Sequence, residues 1–261
     1  MMKPLKKPLY SFDERRLLAL PGNREETLKF ATEHFTTLAN DSIDDHGFFA
    51  VALSGGSTPK EIFKLLSSKE YRERVDWTSV YLFWSDERAV PPSDPESNYH
   101  MAMEEGGLRT LPIQKDNIFR MIAEKNIHEN AESYELIIKK KLKNSPFDLV
   151  MLGVGEDGHT ASLFPKTKAL DIKNRRVVAN YVPQKNSWRI SFTYDLINEA
   201  SHICLYVLGG NKAKVIHKIL NSPFNPAQLP SQGIGTKEHP ALWIMDDLAS
   251  ADIVTNSKLM R

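Results

Sequence analysis

Short apolar runs recur along the chain, and most are followed by a stretch whose apolar positions fall three and four residues apart. FFAVALS (48–54), VYLFWS (80–85), NIFRM (117–121), FDLVML (147–152), ICLYVLG (203–209) and ALWIMD (241–246) have the length and near-continuous hydrophobicity of buried strands. Between them, Leu28, Ala31, Phe35 and Leu38 share one face of a helix. Ala131, Tyr134, Ile138 and Leu142 do the same, as do Ala213, Ile216 and Leu220. Each such stripe needs a surface to cover it, and strands that alternate with helices pair in parallel. The expectation is an α/β fold: a mostly parallel, Rossmann-like sheet with helices on both faces. No internal repeat or low-complexity tract breaks the pattern. The loop SPFNPAQLPSQGIGTKE (222–238) is rich in Pro and Gly and reads as a mobile rim. A linker fits it poorly, because only one strand and a short helix follow. The chain is therefore read as a single α/β domain over 1–261, with 1–20 as an N-terminal extension.

Sheets of this kind bind ligands beyond the carboxyl ends of their strands, so the residues just after each apolar run are the place to look. The first run leads into SGGSTPKEIF (54–63). Gly55 and Gly56 allow close approach of the backbone, and Ser54, Ser57 and Thr58 add hydroxyls. Thr58 with Glu61 has the spacing of a capping box, and Pro59 is read as the first helical residue. Free N–H groups and the positive end of a helix would meet here, which suits a phosphate. A plain tight turn with a capped helix is the competing account, and the Gly-Lys-Ser/Thr ending of a Walker A loop is missing. The second run leads into SDERAVPPSDPESN, with Asp86, Glu87 and Arg88 at its start. A solvated charge cluster explains many such runs. At a strand end, however, Asp86 suits a sugar hydroxyl and Arg88 a phosphate or carbonyl oxygen. Helix capping is the plain account of Ser97 and Asn98.

Composition narrows the partners. The 261 residues carry 34 Lys and Arg against 33 Asp and Glu, a net charge of +1. That balance gives no general attraction to nucleic acid or to an anionic membrane, so neither is expected as a partner. The one cysteine, Cys204, lies inside an apolar run and is expected to be a buried strand residue. No uncharged apolar stretch approaches the roughly 20 residues of a membrane span. The basic N-terminus lacks the apolar segment of a secretory signal, so a cytoplasmic location is expected.

The fourth run ends in GVGEDGHTASLFP (153–165), whose first six residues fit the dinucleotide fingerprint G-x-G-x-x-G. Its context does not fit. Glu156 and Asp157 put carboxylates where a pyrophosphate would lie. Pro165 interrupts the helix that should follow. The segment about 20 positions on, RRVVANY, has no acid to hold a ribose. Proton chemistry fits better. A histidine such as His159 can exchange protons, and a neighbouring Asp157 can orient it, although spacing leaves open whether Asp157 touches the substrate instead. His34, His46, His100, His128, His202, His217 and His239 have no comparable setting, and no second His or Cys stands at metal-ligand spacing. Arg189, at the start of RISFTY, and Lys212, after ICLYVLGGN, are candidate cations for an anionic ligand. Lone surface charges are the plainer reading of both.

Taken together, SGGSTPKEIF, WSDERAVPPSDPESNYHMA, FDLVMLGVGEDGHTASLFP, RISFT and GGNKAKVI resemble the 6-phosphogluconolactonases, in the same order, from about residue 24 to 250. That family is related to the glucosamine-6-phosphate deaminases, which carry a catalytic Glu five residues after the His. Here that position is Phe164, and DER stands where deaminases read DEY. The resemblance implies hydrolysis of 6-phospho-D-glucono-1,5-lactone in the oxidative pentose phosphate pathway, without metal or cofactor. The residue types suit that chemistry independently, with His159 as general base, Arg88 at the developing oxyanion, and Asp86 and Asp157 positioning hydroxyls or His159. The 54–58 loop, Arg189 and Lys212 would take the phosphate. Two alternatives remain: a deaminase/isomerase, which Phe164 opposes, and a non-catalytic sugar-phosphate sensor. The sensor form carries a DNA-binding helix-turn-helix, for which residues 1–47 leave room for one helix only.

Overall fold

The computed structural model describes residues 9–143 and 145–254. The strands are β1 (Leu9–Asp13), β2 (Arg16–Gly22), β3 (Phe49–Leu53), β4 (Val80–Trp84), β5 (Asp86–Arg88), β6 (Leu149–Leu152), β7 (Val177–Val182), β8 (Ser187–Phe192), β9 (His202–Val207) and β10 (Ala241–Asp246). The helices are α1 (Arg24–His46), α2 (Ser57–Leu66), α3 (Asn98–His100), α4 (Ile127–Leu142), α5 (Tyr194–Asn198), α6 (Ala213–Asn221) and α7 (Ala251–Val254). Seven strands form one sheet in the order β1-β2-β10-β9-β6-β3-β4. Every pairing in it is parallel except β1 with β2. Strands β5, β8 and β7 make a small antiparallel sheet beside it.

The core explains why helices cover both faces. In β3 and β4, Phe49 pairs with Val80 and Ala52 with Phe83, so Phe49 and Phe83 point to opposite sides. On one side Phe35 of α1 meets Phe49 edge-on, with ring centroids 5.3 Å apart. On the other, Phe83 packs against Phe147 at 5.1 Å and against Tyr134 of α4 at 6.2 Å. The expected helical stripes are all buried: Leu28, Ala31, Phe35 and Leu38; Ala131, Tyr134, Ile138 and Leu142; Ala213, Ile216 and Leu220. Cys204 is buried on β9, and burial pushes its thiol up to about 12, far from reactivity. Among the described residues no helix is long and apolar enough to cross a membrane.

Three expectations need correction. NIFRM does not form a strand. A 3-10 turn covers Lys115–Asn117, and the segment then touches β4 through a single bridge, Ile118 to Leu82. The Tyr134 hydroxyl donates to the Phe119 carbonyl (2.8 Å) and accepts from the Trp84 N–H (2.9 Å), taking bonds that a further ladder would need. Residues 9–20 are not simply appended: β2 pairs in parallel with β10 and buries Leu18 and Ala19, while residues 1–8 of the basic N-terminus lie outside the described residues. Loop 222–238 is docked rather than a free rim. Ser231 donates from both its N–H and its hydroxyl to the Gly158 carbonyl, at 2.9 and 2.8 Å, and Gln232 is buried.

Candidate active site

The chain passes from β3 to β4 on one side and later returns to β6 on the other side of β3. Neighbouring strands diverge at such a reversal and leave a crevice at their carboxyl ends. A cavity of 220 Å³ lies there, lined by Ser54, Gly55, Gly56, Asp86, Arg88, Gly153, Val154, Gly155, His159, Ala161 and Lys212. Seven of the expected site residues therefore meet in one cleft. Ser57, Thr58, Asp157 and Arg189 are not among its lining residues and stand behind or beside it.

The glycine loop differs in detail from the sequence reading. Gly56, with φ +103°, takes the N-cap position, and α2 begins at Ser57, so Pro59 is the third helical residue. No side chain caps this helix. The Thr58–Glu61 capping box does not form, because Glu61 pairs with Arg24 instead, at 2.5 Å. The first intrahelical bond runs from the Lys60 N–H to the Gly56 carbonyl (3.2 Å), which leaves the Ser57 and Thr58 N–H groups without intrahelical partners. Gly55 answers a demand for space. A Cβ there would lie 1.9 Å from Asn98 Oδ1.

Asn98 does something other than cap a helix. Its Nδ2 donates to the Asp86 carbonyl (2.9 Å) and to Asp86 Oδ1 (3.1 Å), while Ser162 Oγ donates to Asp86 Oδ2 (2.6 Å). Ser97 does cap, accepting from the His100 N–H at 3.1 Å. Asp86 and Glu87 are buried, so the solvated reading of this charge run is wrong. Glu87 accepts from Ser97 Oγ and from the N–H groups of Arg88, Asn98 and Tyr99, all at 2.8–2.9 Å. Burial pushes its carboxyl above the ordinary value, against those hydrogen bonds. Glu87 thus folds the 89–98 loop back and sets Asn98 against the glycine loop.

Arg88 and Arg189 face each other as register partners on β5 and β8. Arg88 Nη1 donates to the Glu96 carbonyl, but the Nε groups of both arginines are buried without a hydrogen-bond partner. Burial, and next the Arg88 charge, pull the Arg189 guanidinium below its usual value. Two adjacent cations with unused donors form a place where an anion is stabilising.

The His159 loop is built tightly around one imidazole. Its Nδ1 lies 2.5 Å from Asp157 Oδ1, which also accepts the His159 N–H at 3.1 Å. Burial raises the Asp157 carboxyl, but the hydrogen bond and charge of His159 outweigh it and hold the group below the ordinary carboxylate value. An ionised carboxylate only accepts, so Nδ1 carries a proton and Nε2 is the nitrogen available as a base. Phe164, buried, stacks on the imidazole with centroids 3.9 Å apart and planes 17° apart. The Gly155 N–H donates to the His159 carbonyl (2.8 Å). Ala161 lines the cleft at φ +46°, a strained conformation for a residue with a Cβ. Lys212 ends a 3-10 turn that leads into α6. Its neighbour Asn211 donates to Glu156 Oε1 (2.8 Å), tying that turn to the His159 loop.

The sequence reading missed the supporting residues. In the sequence Phe164 marks only the absence of a Glu, Gly155 only a fingerprint glycine, and Ser162 carries no signal. The pattern held one signal, a glycine at 155 within reach of a bulky ring, which becomes readable only when the turn geometry is known. Among the described residues no group of three or more His, Cys, Asp or Glu is placed to hold a metal ion.

Comparison with known proteins identifies the family to which this sheet and sequence belong. Residues 22–243 match the family model described as glucosamine-6-phosphate isomerases/6-phosphogluconolactonase. A 6-phosphogluconolactonase of Chlamydia trachomatis is 38% identical over 257 residues, covering 96% of this chain and 98% of its own. One from Haemophilus influenzae is 37% identical over 199 residues, covering 76% and 85%. The solved structure of a 6-phosphogluconolactonase from Trypanosoma cruzi superposes with a TM-score of 0.78 at 25% identity, covering 97% of this chain and all of that one. By its sequence and its fold, the chain belongs to the glucosamine-6-phosphate isomerase/6-phosphogluconolactonase family.

Proposed function

We propose that this protein hydrolyses 6-phospho-D-glucono-1,5-lactone to 6-phospho-D-gluconate, with His159 as the general base. The observation that carries the reading is that the Asp157-oriented imidazole opens on the same cleft as the glycine loop, Arg88 and Lys212. His159 Nε2 takes a proton from water as its oxygen attacks the lactone carbonyl carbon. Arg88 stabilises the oxyanion that forms. As the intermediate collapses, the bond from the carbonyl carbon to the ring oxygen breaks, and the imidazolium returns its proton to that oxygen. Asp86, fixed by Asn98 and Ser162, positions sugar hydroxyls. The N–H groups and hydroxyls of 54–58 bind the phosphate together with Arg189 and Lys212. These groups suffice for ester hydrolysis without metal or cofactor. The reading places the protein in the cytoplasm, in the oxidative pentose phosphate pathway, with no nucleic-acid partner.

The test is a coupled assay that generates the lactone and times its loss with and without protein, because this lactone also opens unaided. Replacing His159 with Gln is expected to lower kcat by about 10²–10⁴-fold while leaving product binding nearly intact. Equal rates for variant and parent would refute the general-base role. Arg189→Ala and Lys212→Ala are expected to raise KM with little change in kcat. A fall in kcat at constant KM would remove both cations from the phosphate site. Ammonia release from glucosamine 6-phosphate would instead support the deaminase reading, which Phe164 opposes by occupying the position of the acid.

A further inference from the structure

A second cavity lies on the far side of the small sheet, between α4 and strands β7 and β8, and has no part in the reaction above. Its volume is 660 Å³, three times that of the catalytic cleft, and the two share no lining residue. One corner is aromatic. The Trp188 ring meets His128 edge-on at 4.9 Å and Tyr181 at 5.5 Å. Trp188 and Tyr181 are 38% and 41% exposed, so both rings keep an open surface. Lys166 and Lys168 also line the cavity, both exposed, and among the described residues neither has an ion-pair partner. Arg175 is there too, but Glu132 and Glu135 already engage it at 3.4 and 2.9 Å. Lys166 is held at φ +62°, and its N–H donates to the Ala227 carbonyl (3.0 Å), so its backbone is fixed in an unfavourable conformation.

We propose that this cavity binds a flat aromatic ring carrying a phosphate, as in a nucleotide. The rings of Trp188, Tyr181 and His128 offer a stacking wall for such a group. The two exposed lysine ammonium groups offer opposite charge to its phosphate. A purely apolar ligand would leave the lysines unused, and a simple anion would leave the aromatic wall unused. The assignment does not depend on the hydrolytic function.

The exposed Trp188 makes the proposal measurable, since Trp77, Trp84 and Trp243 are all buried. ATP added to the full-length protein is expected to quench Trp fluorescence saturably, with Kd below about 1 mM. Adenosine and inorganic phosphate, which each carry half of the recognised chemistry, are expected to bind at least about tenfold more weakly. Trp188→Phe keeps a ring in the wall, so it should abolish the quench yet still bind ATP by calorimetry. The double variant Lys166→Glu/Lys168→Glu, at two exposed positions, should weaken ATP about tenfold or more with an unchanged melting temperature. Any of these results would overturn the site: no saturable binding up to about 5 mM ATP; a quench that survives Trp188→Phe; phosphate alone binding as tightly as ATP; or an unchanged Kd in the double-lysine variant. Sedimentation showing two copies joined through the Trp188 face would also overturn it.

Discussion

Gly155 shows how narrowly the His159 imidazole is housed. A Cβ at this position would lie 2.0 Å from His159 Nδ1, 2.1 Å from Cε1 and 2.8 Å from Asp157 Oδ1. No side-chain atom can enter without parting the acid from the histidine. With His159 as the proposed base, Gly155→Ala is therefore expected to cut kcat by about tenfold or more, since small displacements of such a group are costly. Thermal melting should change little by comparison, because the displaced ring borders an open cleft rather than the core. A variant with parental kcat would mean that the observed His159–Asp157 geometry is not the working one. Phe164 supports the same ring from its face. The position that marks the absence of a deaminase acid thus has a physical occupation of its own.

The next scale is the segment β4–β5 and the loop that folds over it. Two consecutive carboxylates, Asp86 and Glu87, leave the strand end and turn inward. Asp86 faces the cleft, while Glu87 gathers four donors from the loop at 88–99. An amide at 87 would present its NH₂ to donors and leave at least one N–H unpaired. Glu87→Gln is expected to cost about 1–3 kcal/mol in a urea unfolding experiment. Because the loop carries Asn98 against Gly55, the same variant should raise KM. A neutral outcome in both measurements would show that the loop holds its place by other means. Strand β8 belongs to this scale as well. Its antiparallel pairing with β5 sets Arg189 opposite Arg88, although the two residues are about a hundred positions apart.

At the scale of the whole molecule, the interior sets the response to acid. His34 is buried on α1, its Nδ1 3.8 Å from Cys204 Sγ, and burial followed by the His202 charge pulls it down to about 4. The unfolded chain binds this proton near pH 6.5 and the folded protein only near 4. The group's contribution is therefore complete above pH 6.5 and is lost as the pH falls towards 4. At about 1.4 kcal/mol per pH unit, it removes on the order of 3 kcal/mol of stability across that window. His34→Leu is expected to flatten the dependence of stability on pH between 6.5 and 4, as read from denaturant melts. An unchanged slope would place the acid sensitivity elsewhere, with His202 the next candidate.

Much of this architecture was legible in the order of residues alone. Five apolar runs became strands, and three helical stripes became buried faces, because burial on a sheet demands those periodicities locally. The motif residues at strand ends were equally legible, since a parallel sheet delivers all its carboxyl ends to one edge. What only the tertiary structure decided was partnership. Asp157 rather than Asp86 holds His159, Glu61 pairs with Arg24 rather than capping α2, Tyr134 displaces a strand at 117–121, and residues 9–22 complete the sheet beside β10. Each of these is a choice among competing hydrogen-bond or charge partners far apart in the chain. Local pattern records what a residue can bond to, whereas the packed fold determines which of those partners comes within reach.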